Sequence, residues 1–290
     1  MKKIKTISLC VLTFMIFLIG CKSTQSKENL VEQNHSNTSH QKLQTSTGIN
    51  YDPLILNIQS GMIKGELSRK NENIRVFKGL PYAGAPINDN RWRAPLPPVE
   101  WTGTRDATEF GAACPQTDRR RTLRRINEDC LFLNIWAPSK QTKPLPVMVW
   151  IHGGGFTNGS SDQIHYDGTS FAERDVVLVT INYRLGPLGF LAHPELSSET
   201  SNGTSGNYGF LDQIAALKWI KNNITSFGGD PDNVTIFGES AGGTSVAILR
   251  ASPLATGLFD KAIIQSPWFF GYINQISGSV FAPMAANQSS

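Results

Sequence analysis

Along the first third of the chain, apolar residues come in short runs broken by turn residues. Leu54–Gln59, Met62–Leu67 and Ile74–Phe77 have the length of strands, and Leu131–Ala137 adds another. Together they predict an N-terminal antiparallel meander. A Pro-rich loop stretch from Pro81 to Pro98 lies between them, with Trp92 inside it and Trp101 just beyond. The rhythm then changes. Val147–Ile151, Val176–Ile181, Val234–Phe237 and Ala262–Ile264 are continuous apolar runs, the pattern of strands buried on both faces of a parallel sheet. Over 211–226 the spacing of Leu211, Ile214, Ala215, Leu217, Ile220 and Ile224 is helical, and Gly228-Gly229 stops it. Strands alternating with helices predict an α/β architecture. No internal repeat is evident.

The N-terminus carries a different pattern. Lys2, Lys3 and Lys5 precede the apolar stretch Ile7–Ile19, which is too short to span a membrane stably. This is the layout of an export signal over residues 1–20. Leu18-Ile19-Gly20-Cys21 resembles the bacterial lipobox, in which the cysteine takes a lipid and becomes the mature N-terminus. The alternative is an ordinary signal peptide followed by a chance cysteine. Either way the protein is expected to be exported, and the lipobox adds a bilayer as partner. Residues 21–50 are rich in Ser, Thr, Gln, Asn and Lys, cannot bury enough apolar surface to fold alone, and are expected to form a flexible tether. His35 and His40 fall in it and are read as solvated rather than as metal ligands. Residues 51–290 remain for the folded domain.

Composition narrows the classes. Of 290 residues, 40% are hydrophobic and 17% charged, which is ordinary for a globular enzyme. The formal charge of +4 owes three lysines to the signal. Without them 24 basic residues face 23 acidic ones, which removes the case for a nucleic-acid partner. A basic cluster, Arg119-Arg120-Arg121 with Arg124 and Arg125, reads as a solvated loop face, with contact to anionic lipid as the alternative. Once Cys10 leaves with the signal and Cys21 takes the lipid, Cys114 and Cys130 are an even pair in an oxidising compartment, expected to bridge.

Two motifs carry chemistry. Gly238-Glu239-Ser240-Ala241-Gly242 follows an apolar strand and precedes small, helix-compatible residues. This is the strand–turn–helix setting of a nucleophile elbow. It predicts Ser240 as the nucleophile on a strained turn, with glycines where a side chain would collide. His152-Gly153-Gly154-Gly155-Phe156 directly follows the strand Val147–Ile151. Three glycines bring backbone N–H groups close to a substrate, so Gly154 and Gly155, with the Ala241 N–H as a third donor, are expected to hold an oxyanion. A phosphate-binding loop is the competing reading, but no Gly-Lys-Ser/Thr follows.

With these motifs in place, the sequence resembles the type-B carboxylesterase and cholinesterase family of α/β-hydrolases. Further matching segments are Phe77–Ala83, Glu128–Ile135, Asn182-Tyr183-Arg184 and Phe227–Pro231, and the likeness runs from about Ile58 to Ser266. It implies an α/β-hydrolase fold, ester hydrolysis through a serine acyl-enzyme, small-molecule ester substrates, and no metal or cofactor. It also implies a Cys114–Cys130 bridge, a Glu239 that tunes the electrostatics beside the nucleophile, and a Ser266 that hydrogen-bonds near the catalytic acid. Pro267 follows Gln265-Ser266 where the family has glycine.

In this fold the triad acid and histidine follow the serine. No histidine follows Ser240, and Asp260 is the only acid that does. His165 and His193 precede the nucleophile and match no triad position. The expectation is a fold truncated after the strand that succeeds the nucleophile helix, with acid and base absent from this chain and its activity in doubt. A catalytically inactive fragment and a non-catalytic binding module are the alternatives. The three tryptophans Trp92, Trp101 and Trp136 are read as packing residues in preference to a substrate gorge.

Overall fold

The computed structural model describes residues 52–117 and 125–268. The signal, the tether with Cys21, His35 and His40, the arginines 119–121 and 124, and Phe269-Phe270 lie outside the described residues.

Among the described residues, ten strands form two sheets. β1 (Ile55–Ile58) and β2 (Gly61–Lys64) make an antiparallel hairpin, and the chain then passes through Gly65 into β3 (Glu66–Ser68) and β4 (Asn71–Pro81). β5 (Thr104–Asp106) pairs in parallel with β2 and completes a three-stranded sheet. β6 (Phe132–Pro138), β7 (Leu145–Ile151), the short helix α1 (Thr169–Ala172) and β8 (Val177–Ile181) follow. Next come α2 (Gly186–Phe190), α3 (Pro194–Ser198), α4 (Tyr208–Asn223), β9 (Gly229–Glu239), α5 (Ala241–Ala251) and β10 (Lys261–Gln265). The large sheet has the order β10-β9-β7-β8-β6-β4-β3. Its β8-β7-β9-β10 side is parallel, and β6, β4 and β3 add to it antiparallel.

The expected meander is therefore divided. The run Met62–Leu67 is two strands, because the chain leaves one sheet and joins the other at Gly65. β4 and β6 belong to the main sheet. β5 escapes the sequence pattern because all three of its residues are exposed and none is apolar.

Burial follows the continuous-run rule in the middle of the sheet and departs from it at the side. β6 and β8 are buried at every position. β7 alternates buried with half-buried residues, and β10 alternates exposed with half-buried ones. Among the described residues β10 has one neighbouring strand, and Ile263 on it is 44% exposed.

The helical reading of 211–226 has the right element, and Ile214, Leu217, Ile220 and Ile224 of its apolar positions are buried. α4 begins three residues earlier, and its buried positions include Asp212 and Gln213, while Leu211 and Ala215 are half-buried. Two polar residues sit inside because each has a buried partner: Arg184 for Asp212 and the Ser245 hydroxyl for Gln213. A single turn over Ile224–Phe227 extends the helix, and Gly228 ends it in the left-handed conformation at φ 86°.

Trp136 is buried in a cluster with Ile74, Val76 and Leu178, as a core residue. Trp101 packs on the main core and donates from Nε1 to the Met62 carbonyl at 2.8 Å. Trp92, half-buried, donates to the Pro187 carbonyl at 2.9 Å and ties the Pro-rich loop to α2. Cys114 and Cys130 are bonded to each other, both buried. A bridge closing a loop of this size contributes roughly 3 kcal/mol through the unfolded chain.

Candidate active site

The parallel register sets the site. β7 and β9 are neighbours with Ile151 opposite Gly238, so the segments leaving their C-terminal ends emerge side by side. The carboxyl ends of parallel strands are where this class of sheet binds ligands. The segment after β7 is His152–Phe156, and the one after β9 is Ser240 at the head of α5.

Ser240 has φ 56° and ψ −121°, a costly conformation for a residue with a side chain. The surroundings hold it there. Its N–H donates to the Gln265 carbonyl at 3.0 Å, and its carbonyl accepts from Thr244 N at 2.9 Å. The turn is tight enough that a Cβ on Gly238 would lie 2.5 Å from the Gly242 carbonyl carbon. One on Gly242 would lie 2.0 Å from the Ile151 carbonyl oxygen. These two glycines allow α5 to start directly against β7.

The glycine loop runs beside the serine. A Cβ placed on Gly153 would be 3.3 Å from Ser240 Cβ and 3.3 Å from Glu239 Oε2. Ser240 is half-buried, and Glu239 is exposed, with its carboxylate over Gly153. Gly154 and Gly155 both take positive φ, and the Gly154 carbonyl accepts from the N–H groups of Thr157 and Asn158, each at 3.1 Å. Their own N–H groups make no hydrogen bond among the described residues. The N–H of Ala241, first in α5, has no acceptor within its helix.

His152 holds the loop from behind. Its ring is buried and stacked on Tyr183, with centroids 4.4 Å apart, and the Tyr183 hydroxyl donates to the His152 carbonyl at 2.8 Å. His152 Nδ1 lies 2.8 Å from the Gly153 carbonyl, which assigns it the proton, and Nε2 is buried without a partner among the described residues. Burial lowers the imidazole to about 4, and the Gly153 carbonyl offsets this only partly. The ring is thus neutral at physiological pH.

Stability has a corresponding pH dependence. Below the ordinary histidine value of 6.5 the unfolded chain takes up a proton that the folded chain refuses until about 4. The stabilisation from neutral His152 is therefore full above pH 6.5 and is lost as pH falls toward 4, by about 3 kcal/mol. Urea titrations should show this slope in the parent and its loss in His152→Gln. An equal slope in both would assign the acid sensitivity elsewhere.

Arg184, next to Tyr183 in the chain, pairs with Asp212 of α4. The guanidinium donates through Nε at 2.8 Å and Nη2 at 2.7 Å to the two carboxylate oxygens, and Arg184 N donates to the same carboxylate at 3.0 Å. Burial works against the Arg184 charge, but the attraction and hydrogen bonds of Asp212 outweigh it.

The remaining candidates do not converge on Ser240. Asp260 lies at the opposite end of the sheet, with its carboxylate accepting from Val234 N at 2.9 Å. By register it is six residues back along β9, about 20 Å from the serine. His165 is exposed on a single turn, and His193 is exposed and caps α3 by accepting from Glu195 N. Ser240 Oγ has no hydrogen-bond partner among the described residues. Ser266 is exposed at the end of β10. Among the described residues, no group of three or more His, Cys, Asp or Glu could hold a metal ion.

A strained serine at the strand–helix turn, flanked by a glycine loop from the adjacent strand, is accompanied by a match of residues 52–285 to the carboxylesterase family. The chain belongs to the carboxylesterase family. This match begins before and ends after the likeness legible from the motifs. The chain is 50% identical over 221 residues to a fumonisin B1 esterase of Sphingopyxis macrogoltabida, covering 74% of this chain and 40% of that protein. It is 49% identical over 218 residues to a para-nitrobenzyl esterase of Bacillus subtilis, covering 73% and 43%. A solved Geobacillus stearothermophilus carboxylesterase superposes with a TM-score of 0.66 at 48% identity, covering 72% of this chain and 42% of that one. The chain thus spans about two fifths of the length of the relatives it matches. Its fold is that of the α/β-hydrolases.

The sequence reading missed the supports of the site. Tyr183 and Arg184 are visible only as part of a family-like tripeptide, and Asp212 carries no signal of its own. Gln116 carried no signal beyond its closeness to Cys114.

Proposed function

We propose that this protein hydrolyses small-molecule carboxylic esters through an acyl-enzyme on Ser240. The observation that carries the reading is the pairing of Ser240, at φ 56°, with the glycine loop beside it. Ser240 Oγ attacks the ester carbonyl, and the N–H groups of Gly154, Gly155 and Ala241 receive the negative charge that forms on oxygen. The alcohol leaves, and water then releases the acid. Glu239 sets the potential at the loop. The serine proton needs an acceptor, and no described histidine meets Ser240, so base and acid come from outside the described residues.

One observation favours a non-catalytic reading: Ser240 Oγ has no hydrogen-bond partner among the described residues. Turnover of a short-chain aryl ester by the full chain, beside Ser240→Ala, separates the two. The expected result is a slow rate that falls in Ser240→Ala to the residual on the order of 10³–10⁴ over water that oxyanion stabilisation and binding supply without the serine. Equal rates in both proteins would support the non-catalytic reading.

We further propose that residues 1–20 direct export and that Cys21 carries a lipid holding the protein to the cell envelope, on the strength of the Leu18–Cys21 pattern. Among the described residues no helix is long and apolar enough to cross a membrane. Cys21→Ala should move the protein from the membrane to the soluble fraction; unchanged partition would refute the anchor.

A further inference from the structure

We propose that Gln116, in the disulfide loop, is a positioning residue for the glycine loop: it clasps the limb on which Gly153 and Gly154 rest. The consequence for chemistry rests on the oxyanion reading above. The hold on the loop does not.

The chain turns back after Gly155, and its returning limb, Asn158-Gly159, packs against the outgoing one. A Cβ on Gly154 would lie 2.0 Å from the Asn158 carbonyl oxygen. A Cβ on Gly159, which has φ 117°, would lie 2.4 Å from His152 Nδ1 and 2.7 Å from the Gly153 carbonyl oxygen. Those two atoms make the hydrogen bond that fixes the start of the glycine loop. Gly159 therefore backs that bond directly, and its position is transmitted to Gly153.

Gln116 fixes Gly159 by both of its backbone groups. Nε2 donates to the Gly159 carbonyl at 2.7 Å, and Oε1 accepts from Gly159 N at 2.8 Å. Nε2 also donates to the Cys114 carbonyl at 3.1 Å, so the amide is itself held two residues from the disulfide. A second tie runs through Asn182, which donates to the Cys130 carbonyl at 3.2 Å and accepts from Ser161 N at 2.8 Å. A primary amide supplies a donor and an acceptor to one residue's backbone in this way at any pH, whereas an ionised carboxylate supplies acceptors alone. A carboxylate would place a second oxygen against the Gly159 carbonyl, and protonating it would restore a donor.

The test compares the full chain with Gln116→Met and Gln116→Glu by ¹⁵N NMR and amide exchange between pH 4 and 8. His152, Glu239 and Asp162 lie on or beside the same loop, so the parent protein's pH series is the baseline. In Gln116→Met, the amide signals of Gly153–Gly155 should move and the Gly159 N–H should exchange at least about tenfold faster. In Gln116→Glu, the same glycine signals should be displaced at pH 7 and return toward parent positions as the introduced carboxyl protonates. This pH rescue decides the matter if Gln116→Met fails to fold. Glycine signals unchanged in both variants, or displaced in Gln116→Glu without pH dependence, would overturn the proposal.

A parallel measurement follows phosphonylation of Ser240 by a fluorophosphonate, expected to slow on the order of tenfold in Gln116→Met through misplacement of the loop. Moved glycine signals with an unchanged phosphonylation rate would leave Gln116's role standing and remove the oxyanion assignment of Gly154 and Gly155.

Discussion

Asp212→Ala should destabilise the protein by about 3–5 kcal/mol, because it leaves the Arg184 guanidinium buried without its counter-charge. Both side chains are almost wholly shielded, 3% and 0% exposed. The carboxylate receives three hydrogen bonds from Arg184, one of them from its backbone. The desolvation of an isolated buried charge greatly exceeds that of a neutral group, so the loss comes from stranding the cation rather than from the net worth of the pair. The double substitution Arg184→Met with Asp212→Leu removes both charges and should recover most of the stability. Urea denaturation of the three proteins checks this. A cost under about 1 kcal/mol for Asp212→Ala would mean that water or another group already neutralises Arg184.

That pair also shows where the sequence was opaque. Asp212 lies one position from Leu211 in a helix whose apolar residues repeat at the expected spacing. The helix is buried on more than one side, so apolar periodicity alone could not say which face turns inward. The partner that makes a buried aspartate tolerable comes from 28 residues away in the chain. Strands were easier. β6 and β8 announce themselves as largely apolar runs, since burial on both faces leaves little room for polar alternation, and β7 does so although one of its faces is only half-buried. β5 has no such signature because its pairing uses only the backbone.

The site divides in the same way. The elbow was legible because its geometry is written in glycine: Gly238 and Gly242 stand where a Cβ would strike backbone. The glycine loop was legible for a related reason, as Gly154 and Gly155 take positive φ. Glu239 was expected beside Ser240 and does flank it, exposed over Gly153. What no local pattern could show is the scaffold behind the loop: the neutral His152 stacked on Tyr183, and the Gln116 amide across from Gly159. Those contacts join segments distant in the chain.

The central claim is the proposal that Ser240, on its strained turn beside the glycine loop, is the nucleophile. A fluorophosphonate reports this directly, since attack forms an Oγ–P bond, expels fluoride and releases the hydroxyl proton to solvent. The full chain is treated with the reagent at neutral pH, and peptide mass spectrometry locates the adduct. The account predicts a phosphonyl group on Ser240 and on no other serine, absent from Ser240→Ala. Modification scattered over several serines, or modification that spares Ser240, would contradict it.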